Sequence, residues 1–340
     1  MQPDPREVAE PHSISVVIPV YQGERTLPAL MSEIASLHQP FASPAGHSVQ
    51  VTEVLLVHDN GPDGSAAVMR TLALRYEFVR VVWLSRNFGQ HPATLAGMAS
   101  SGGDWIVTMD EDGQHDPQMI GSMLDVAMGE SADVVYGRAT NTPPHGFLRN
   151  LASPSAKRLL RLSTHEINAE SFHSYRLVLG EIGRSVAAYA GAGVYLDVAL
   201  AWVGRKVATC PMEMSVGGGR PSGYSIRSLT SHFWRMVLSS GTRALRLVSL
   251  LGVAFAAGGC LLALYFLSAK LFWHLDAPAG WPSLITVLLL CSGAILFSLG
   301  VIAEYLGVAV NMAMGKPLYL IVSDPSVGPI GHRNDRPADR

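Results

Sequence analysis

Apolar positions in the N-terminal part of the chain come in short β-branched runs, each closed by a turn signal and followed by a helix-like stretch. Ser13-Ile14-Ser15-Val16-Val17-Ile18-Pro19 is the opening run, followed by Val51 to His58, Val79 to Leu84, Trp105 to Met109 and Asp133 to Tyr136. Between them the pattern predicts helices from near Thr26 to Leu37, from Ser65 to Tyr76, from about Pro92 to Ser101 and from Pro117 to Gly129. Pro28 and Pro117 stand where a helix start tolerates proline, because the first-turn N–H it lacks has no intrahelical partner. Strands alternating with helices predict right-handed βαβ units and a mostly parallel α/β sheet.

The pattern then changes. Leu247 to Phe272 is apolar apart from small residues and Lys270, and Leu284 to Val310 is apolar with Glu304 as its one ionisable group. Each run is about 25 residues, enough for a tilted membrane span. Trp273, Trp281 and Tyr305 stand near the ends, where aromatic belts form. Two buried soluble helices would carry polar faces, and these runs lack them. The linker from His274 to Ser283 permits only a tight re-entry.

Basic residues orient the spans. Arg220, Arg227, Arg235, Arg243 and Arg246 precede the first, and Lys316 follows the second. The linker side has only Lys270 at its edge, opposed by Asp276. The N-terminal domain and the C-terminus are therefore expected in the cytoplasm. Ser225 to Leu245 sets Ile226, Leu229, Phe233, Met236 and Val237 among those arginines. It reads either as an amphipathic helix on the anionic inner leaflet or as an ordinary helix packed on the soluble domain. The expected organisation is a tail over 1–12, a soluble domain over 13–220, a juxtamembrane helix over 221–246, spans over 247–273 and 284–310, and a tail over 311–340.

Composition narrows function mainly by exclusion. The formal charge of −2 over 340 residues gives no nucleic-acid signature. The three cysteines, Cys210, Cys260 and Cys291, are too far apart in sequence to suggest a metal spacing or a disulfide framework. Met1 to His12 is polar and lacks a signal-peptide core. No G-x-G-x-x-G follows the opening strand and no G-x-x-x-x-G-K-[ST] occurs, which argues against usual dinucleotide and P-loop chemistry. Gly217-Gly218-Gly219 has no helix start behind it and reads as a loop.

Candidate chemistry gathers after the fourth strand. Trp105 to Met109 runs into Asp110-Glu111-Asp112-Gly113-Gln114-His115-Asp116-Pro117. Carboxylates two residues apart at a strand end project to one side, so Asp110 and Asp112 can share a hard cation while Glu111 points away. With the amide oxygen of Gln114 they make an oxygen donor set suited to Mg²⁺ or Mn²⁺, ions that complete their shells with substrate phosphates. The alternative is an acidic loop that caps the next helix. Tyr21, Glu24, Asp59 and Arg86 also fall at strand ends, where open α/β sheets bind ligands. Asp59 would accept hydrogen bonds from a base or ribose, or close an Asx turn before Ser65.

Taken together, Ile18-Pro19-Val20-Tyr21…Glu24, His58-Asp59-Asn60-Gly61-Pro62-Asp63-Gly64-Ser65, Ser85-Arg86-Asn87-Phe88-Gly89-Gln90-His91, Asp110-Glu111-Asp112-Gly113-Gln114, Ser174-Tyr175-Arg176-Leu177, Ser222-Gly223-Tyr224-Ser225 and Glu304-Tyr305-Leu306-Gly307…Lys316-Pro317-Leu318-Tyr319 form an ordered set. It resembles the family-2 glycosyltransferases of the GT-A fold, within them the membrane-anchored polyprenyl-phosphate glycosyltransferases. That group includes dolichol-phosphate mannose synthase and the bacterial undecaprenyl-phosphate sugar transferases, among them the 4-deoxy-4-formamido-L-arabinose transferase. The resemblance runs from Ser13 to about Val322.

The resemblance implies a GT-A domain followed by two transmembrane helices, a nucleotide-sugar donor and a polyprenyl phosphate acceptor at the inner membrane. Pro19, Tyr21, Glu24 and Asp59 would line the nucleoside pocket. Asp110, Asp112 and Gln114 would hold Mg²⁺ or Mn²⁺ on the diphosphate. Arg176, with Arg138 and Arg149, would meet the acceptor phosphate, a task suited to the guanidinium fork; for Arg138 and Arg149 the alternative is solvated loop charge. Relatives form homo-oligomers, and Gly252, Ala256, Gly259 and Gly293 permit close helix packing.

The chain departs from the family in three places. The usual Asp-Asp-Gly-Ser is His58-Asp59-Asn60-Gly61, Ser174 stands where some relatives carry Asp, with Glu170 nearby, and Gly217-Gly218-Gly219 replaces an arginine, with Arg220 following. A phosphate acceptor tolerates loss of a base, since its second pKa of about 6 leaves it ionised near pH 7. Two other readings are a non-catalytic membrane module that binds a nucleotide sugar or recruits a partner, and a processive polysaccharide synthase. The latter would need more spans and a Gln-x-x-Arg-Trp motif, and this chain lacks that motif.

Overall fold

The computed structural model describes residues 10–140, 173–191, 194–213 and 280–327, with single positions between 252 and 268. Among the described residues nine strands form one sheet: β1 His12–Val20, β2 Phe41–Ala42, β3 Ser48–His58, β4 Val79–Leu84, β5 Trp105–Thr108, β6 Val134–Ala139, β7 Arg176–Leu179, β8 Val207–Met212 and β9 Ile321–Val322. The order is β8-β6-β7-β5-β1-β3-β4-β9, with β2 alongside β3. Strands β1, β3, β4 and β5 run parallel, and so do β6 and β8. The antiparallel members are β2, β7 and β9. The α/β class and largely parallel sheet expected from the pattern are therefore what the chain adopts.

The continuous apolar strands make sense because both sheet faces are covered. Ile14, Val16 and Ile18 pack with helices α1 Leu27–Ala35, α2 Ser65–Arg75 and α4 Ile120–Glu130. Val17, Leu55 and Val57 pack with α3 Gln90–Ala99, α5 Gly180–Tyr189 and α6 Leu196–Val203 on the other face. Each fully buried Leu, Ile or Val stabilises the fold by about 1.5–3 kcal/mol. Pro117 opens a single turn, Pro117–Met119, before α4, and the Asp116 carboxylate caps it by accepting from Gln118 N at 2.9 Å.

Four strands depart from the expectation. β2 and β9 have two residues each, too short for periodicity to register. β7 has four residues and runs against its neighbours, and β8 is broken in pattern by Pro211, tolerable because it is an edge strand.

The described residues fall into two compact units, one holding the sheet together with 317–327, the other holding helix α7 Trp281–Ala313. At 33 residues α7 is about 50 Å long. Its stretch Cys291–Ala313 has a mean hydropathy of 1.9 and is 6% buried, with Leu296 and Phe297 turned outward. It is long and apolar enough to cross a bilayer and contains most of the expected span 284–310. Of the expected span 247–273, only Gly252, Ala257, Gly258, Leu261 and Ser268 are described, each helical. The segments 1–9, 221–246 and 328–340 lie outside the described residues.

Candidate active site

The loops that follow β1, β3, β4 and β5 meet at one edge of the sheet, and β7 starts there, since Arg176 pairs with Thr108 and Tyr136. Polar contacts lace these loops together. Glu111 turns away from its acidic neighbours and accepts from the backbone N–H groups of Tyr21 and Gln22, both at 2.9 Å. Glu24 accepts from Gly64 N at 2.9 Å, and Asp63 accepts from Glu24 N at 3.2 Å. Ser65 Oγ accepts from Gly23 N at 2.8 Å. Gly61 is required by close approach: a Cβ there would lie 1.5 Å from the Tyr21 carbonyl oxygen. Pro19 is half-buried at the end of β1, while Tyr21 is 43% exposed and Glu24 is exposed.

Asp59 is engaged by the loop that follows β4. It is buried, and its carboxylate accepts from Phe88 N at 2.7 Å and Gly89 N at 2.8 Å. Burial raises its pKa above the usual carboxylate value, against those two amides and Arg86. Gly89 has φ +95°, a conformation that suits glycine, and it begins α3. Asp59 thereby sets the position of Gln90, whose side-chain amide donates to Asp110 Oδ1 at 2.6 Å.

Asp110 is held from several sides. Ser174 Oγ donates to its Oδ2 at 2.6 Å, and its backbone N–H donates to His115 Nδ1 at 3.0 Å. His115 is buried and stacks on Tyr175 with ring centroids 4.8 Å apart, and Tyr175 Oη donates to the Asp116 carbonyl at 2.7 Å. Asp112 accepts from Gln114 N at 3.0 Å. Burial and the Asp110 carboxylate beside it push the Asp112 carboxyl up. Among the described residues no third His, Cys, Asp or Glu joins them in a metal cluster. A carboxyl pushed up beside a second carboxylate suits a divalent cation that takes its remaining oxygens from substrate phosphates.

Arg176 sits behind this edge, 3% exposed. Its Nη1 donates to Asp197 Oδ1 at 2.7 Å, and Tyr136 Oη donates to the same oxygen at 3.0 Å. Burial opposes its charge, yet Asp197, with Tyr136, Tyr195 and Asp110, holds its pKa above the usual guanidinium value. Its Nε finds no hydrogen-bond partner among the described residues. Arg138 is exposed on β6, and Arg149 and Glu170 lie outside the described residues, as do Gly217, Gly218, Gly219 and Arg220.

The structure thus gathers Asp110, Asp112 and Gln114 in one loop, ties Tyr21 to it through Glu111, ties Glu24 to the loop after β3, and buries Arg176 behind this edge. It adds Gln90, His115, Tyr136 and Asp197, which the sequence reading did not single out. Asp197 carries a signal in hindsight: a lone acid inside Val194-Tyr195-Leu196-Asp197-Val198-Ala199-Leu200 must be buried with a partner.

Comparisons with known proteins identify the family of the chain. Residues 15–185 match the family described as glycosyl transferase family 2. The undecaprenyl-phosphate 4-deoxy-4-formamido-L-arabinose transferase of Pectobacterium atrosepticum is 28% identical, over 91% of this chain and 92% of the relative. The protein of that name from Pseudomonas aeruginosa is 31% identical, over 91% of this chain and 89% of the relative. Among solved structures, glucosyl-3-phosphoglycerate synthase from Mycobacterium tuberculosis, with Mn²⁺, uridine-diphosphate-glucose and phosphoglyceric acid, is similar at a TM-score of 0.47 and 17% identity, covering 68% of this chain and 79% of that one.

Proposed function

Because the chain belongs to glycosyl transferase family 2, we propose that it moves one sugar from a nucleotide-sugar donor to undecaprenyl phosphate, or a similar polyprenyl phosphate, with inversion at the anomeric carbon. Relatives named for that acceptor match the chain nearly from end to end, which supports the acceptor class.

One structural observation carries the reading. The chain leaves the sheet after Met212, at the C-terminal end of β8, and rejoins it at Ile321, which pairs with Leu84 at the C-terminal end of β4. Both connections to the apolar helical region therefore attach at the edge that carries Asp59, Asp110 and Arg176. A site at the edge where the apolar segment is attached to the sheet supports a lipid-linked acceptor. The same pairing supports two spans. A chain that leaves and rejoins one sheet crosses a bilayer an even number of times, so α7 calls for a second crossing, and the apolar run 247–273 is available for it. The arginines before that run favour a cytoplasmic catalytic domain, and exposed Gly293 on α7 leaves room for close packing in a homo-oligomer.

In this reading Pro19, Tyr21 and Glu24 receive the nucleoside, with Asp59 shaping the pocket through the loop it holds. Asp110, Asp112 and Gln114 hold Mg²⁺ or Mn²⁺, which when bound supplies positive charge to the departing nucleoside diphosphate. Arg176, buried and charge-paired with Asp197, stands behind the acceptor phosphate, and Arg138 and Arg149 are the guanidinium groups left to meet it. The phosphate oxygen is already ionised near neutral pH, so no residue has to remove a proton from it. Ser174, which donates its proton to Asp110, is not asked to act as a base.

The test is a detergent assay with undecaprenyl phosphate, Mg²⁺ or Mn²⁺ and a panel of labelled nucleotide sugars. The expected result is a chloroform-soluble, acid-labile product that disappears with EDTA and with Asp112→Asn. Folded protein that binds a nucleotide sugar yet forms no lipid product from any donor would overturn the proposal, and full activity in Asp112→Asn would overturn the cation assignment.

A further inference from the structure

The two candidate cation carboxylates are held in different ways. Asp112 accepts from Gln114 N, a group of its own loop. Asp110 is gripped from outside: Gln90 of α3 on Oδ1 and Ser174, just ahead of β7, on Oδ2, both at 2.6 Å. Each gripping group is itself fixed. Gln90 follows the Phe88–Gly89 turn that Asp59 holds by two amide hydrogen bonds. The Ser174 carbonyl accepts from Thr108 Oγ1 at 2.7 Å, which ties it to β5.

A carboxylate has about four acceptor directions, two on each oxygen. One donor on each oxygen stops rotation about the terminal torsion, which is otherwise broad and roughly two-fold. One direction on each oxygen then stays free and has a fixed aim. We propose that Gln90 and Ser174 are positioning residues that aim the Asp110 carboxylate at the divalent cation, an inference that rests on the cation reading of Asp110. Ser174 has a second consequence. It adjoins Tyr175 and Arg176, so one short segment connects the aim of the cation carboxylate to the buried guanidinium.

Removing a partner that orients a metal ligand commonly costs 10- to 100-fold in metal affinity. The experiment is a Mn²⁺ titration of the full chain in detergent with a nucleoside diphosphate present, read by the electron paramagnetic resonance of free Mn²⁺ against a protein-free control, with a thermal melt of every variant. Ser174→Ala and Gln90→Leu are each expected to raise the Mn²⁺ dissociation constant about 10-fold, with melting temperatures near that of the unaltered chain. Ser174→Thr, which keeps the hydroxyl, is expected to restore binding. Turnover in Ser174→Ala is expected to recover when Mn²⁺ is raised to saturation, a change in metal requirement and not in maximal rate. Asp110→Asn is the control. If it binds Mn²⁺ as the unaltered chain does, or the unaltered chain binds none, the cation reading falls and the inference with it. If Asp110→Asn loses Mn²⁺ while Ser174→Ala and Gln90→Leu retain full affinity, or lose only thermal stability, the positioning inference alone is overturned.

Discussion

Arg176 and Asp197 are a buried ion pair, with side chains 4% and 3% exposed. Such a pair contributes little net stability over an apolar replacement, but removing one partner leaves a charge stranded in a poorly polarisable interior. Asp197→Ala is expected to lower unfolding free energy by about 3–5 kcal/mol, measured by urea titration. His58 offers a test of the opposite sign. Burial, and then Arg70, lower its pKa, so the folded state prefers the neutral ring. The unfolded chain therefore takes up protons first as pH falls below about 6.5, and stability present above that value is lost. His58→Phe should flatten this part of the pH–stability curve, followed by thermal melts in buffers on either side of the window.

Strand β9 depends on few contacts, and each can be weighed. Asp324 accepts two hydrogen bonds from Arg70, both at 2.7 Å, and two from Ser326 at 2.8 Å. The Arg70 guanidinium lies 4.7 Å over the Trp83 ring. Arg70, followed by the Ser326 hydrogen bonds, holds the Asp324 carboxyl below the usual carboxylate range despite some burial. A depressed carboxylate contributes its stability above the unfolded value, about 3.9, and loses it as pH falls further. Asp324→Asn is expected to cost about 1 kcal/mol at neutral pH, shrinking toward nothing in strong acid, read from melts at both conditions.

At this scale the sequence is uneven as a guide. Strands β1, β3, β4, β5 and β6 were legible because sustained β-branched runs declare burial on both faces. Strand β5 ends at Thr108, so Asp110, Glu111 and Asp112 stand in the turn beyond it, where the strand period no longer sets their aim, and Glu111 leaves its neighbours for the Tyr21 and Gln22 amides. What pattern does not encode is pairing across distance. Gln90 and Ser174 reach Asp110 from 20 and 64 residues away, and Asp197 reaches Arg176 from 21. Asp59 was placed at the right edge, but which donors would claim its oxygens depended on a loop whose course only the fold supplies.

For the whole molecule, the return of the chain to its own sheet makes a topological prediction. A single cysteine in the linker 274–283 should react with a membrane-impermeant maleimide in intact cells, whereas Ser326→Cys should react only after permeabilisation. Equal labelling of both in intact cells would leave an odd number of crossings and contradict the strand pairing.

That pairing also imposes an order in time. Strand β9 joins β4, completed some 240 residues earlier, so a ribosome adding about 5–20 residues per second leaves the β4 edge open for roughly ten seconds or more. During that interval the apolar helix α7 is itself being made. The edge is open to pairing with another nascent chain until β9 arrives. The sheet is finished only once helix α7 has been made, so a product truncated before α7 would also be an incompletely edged one.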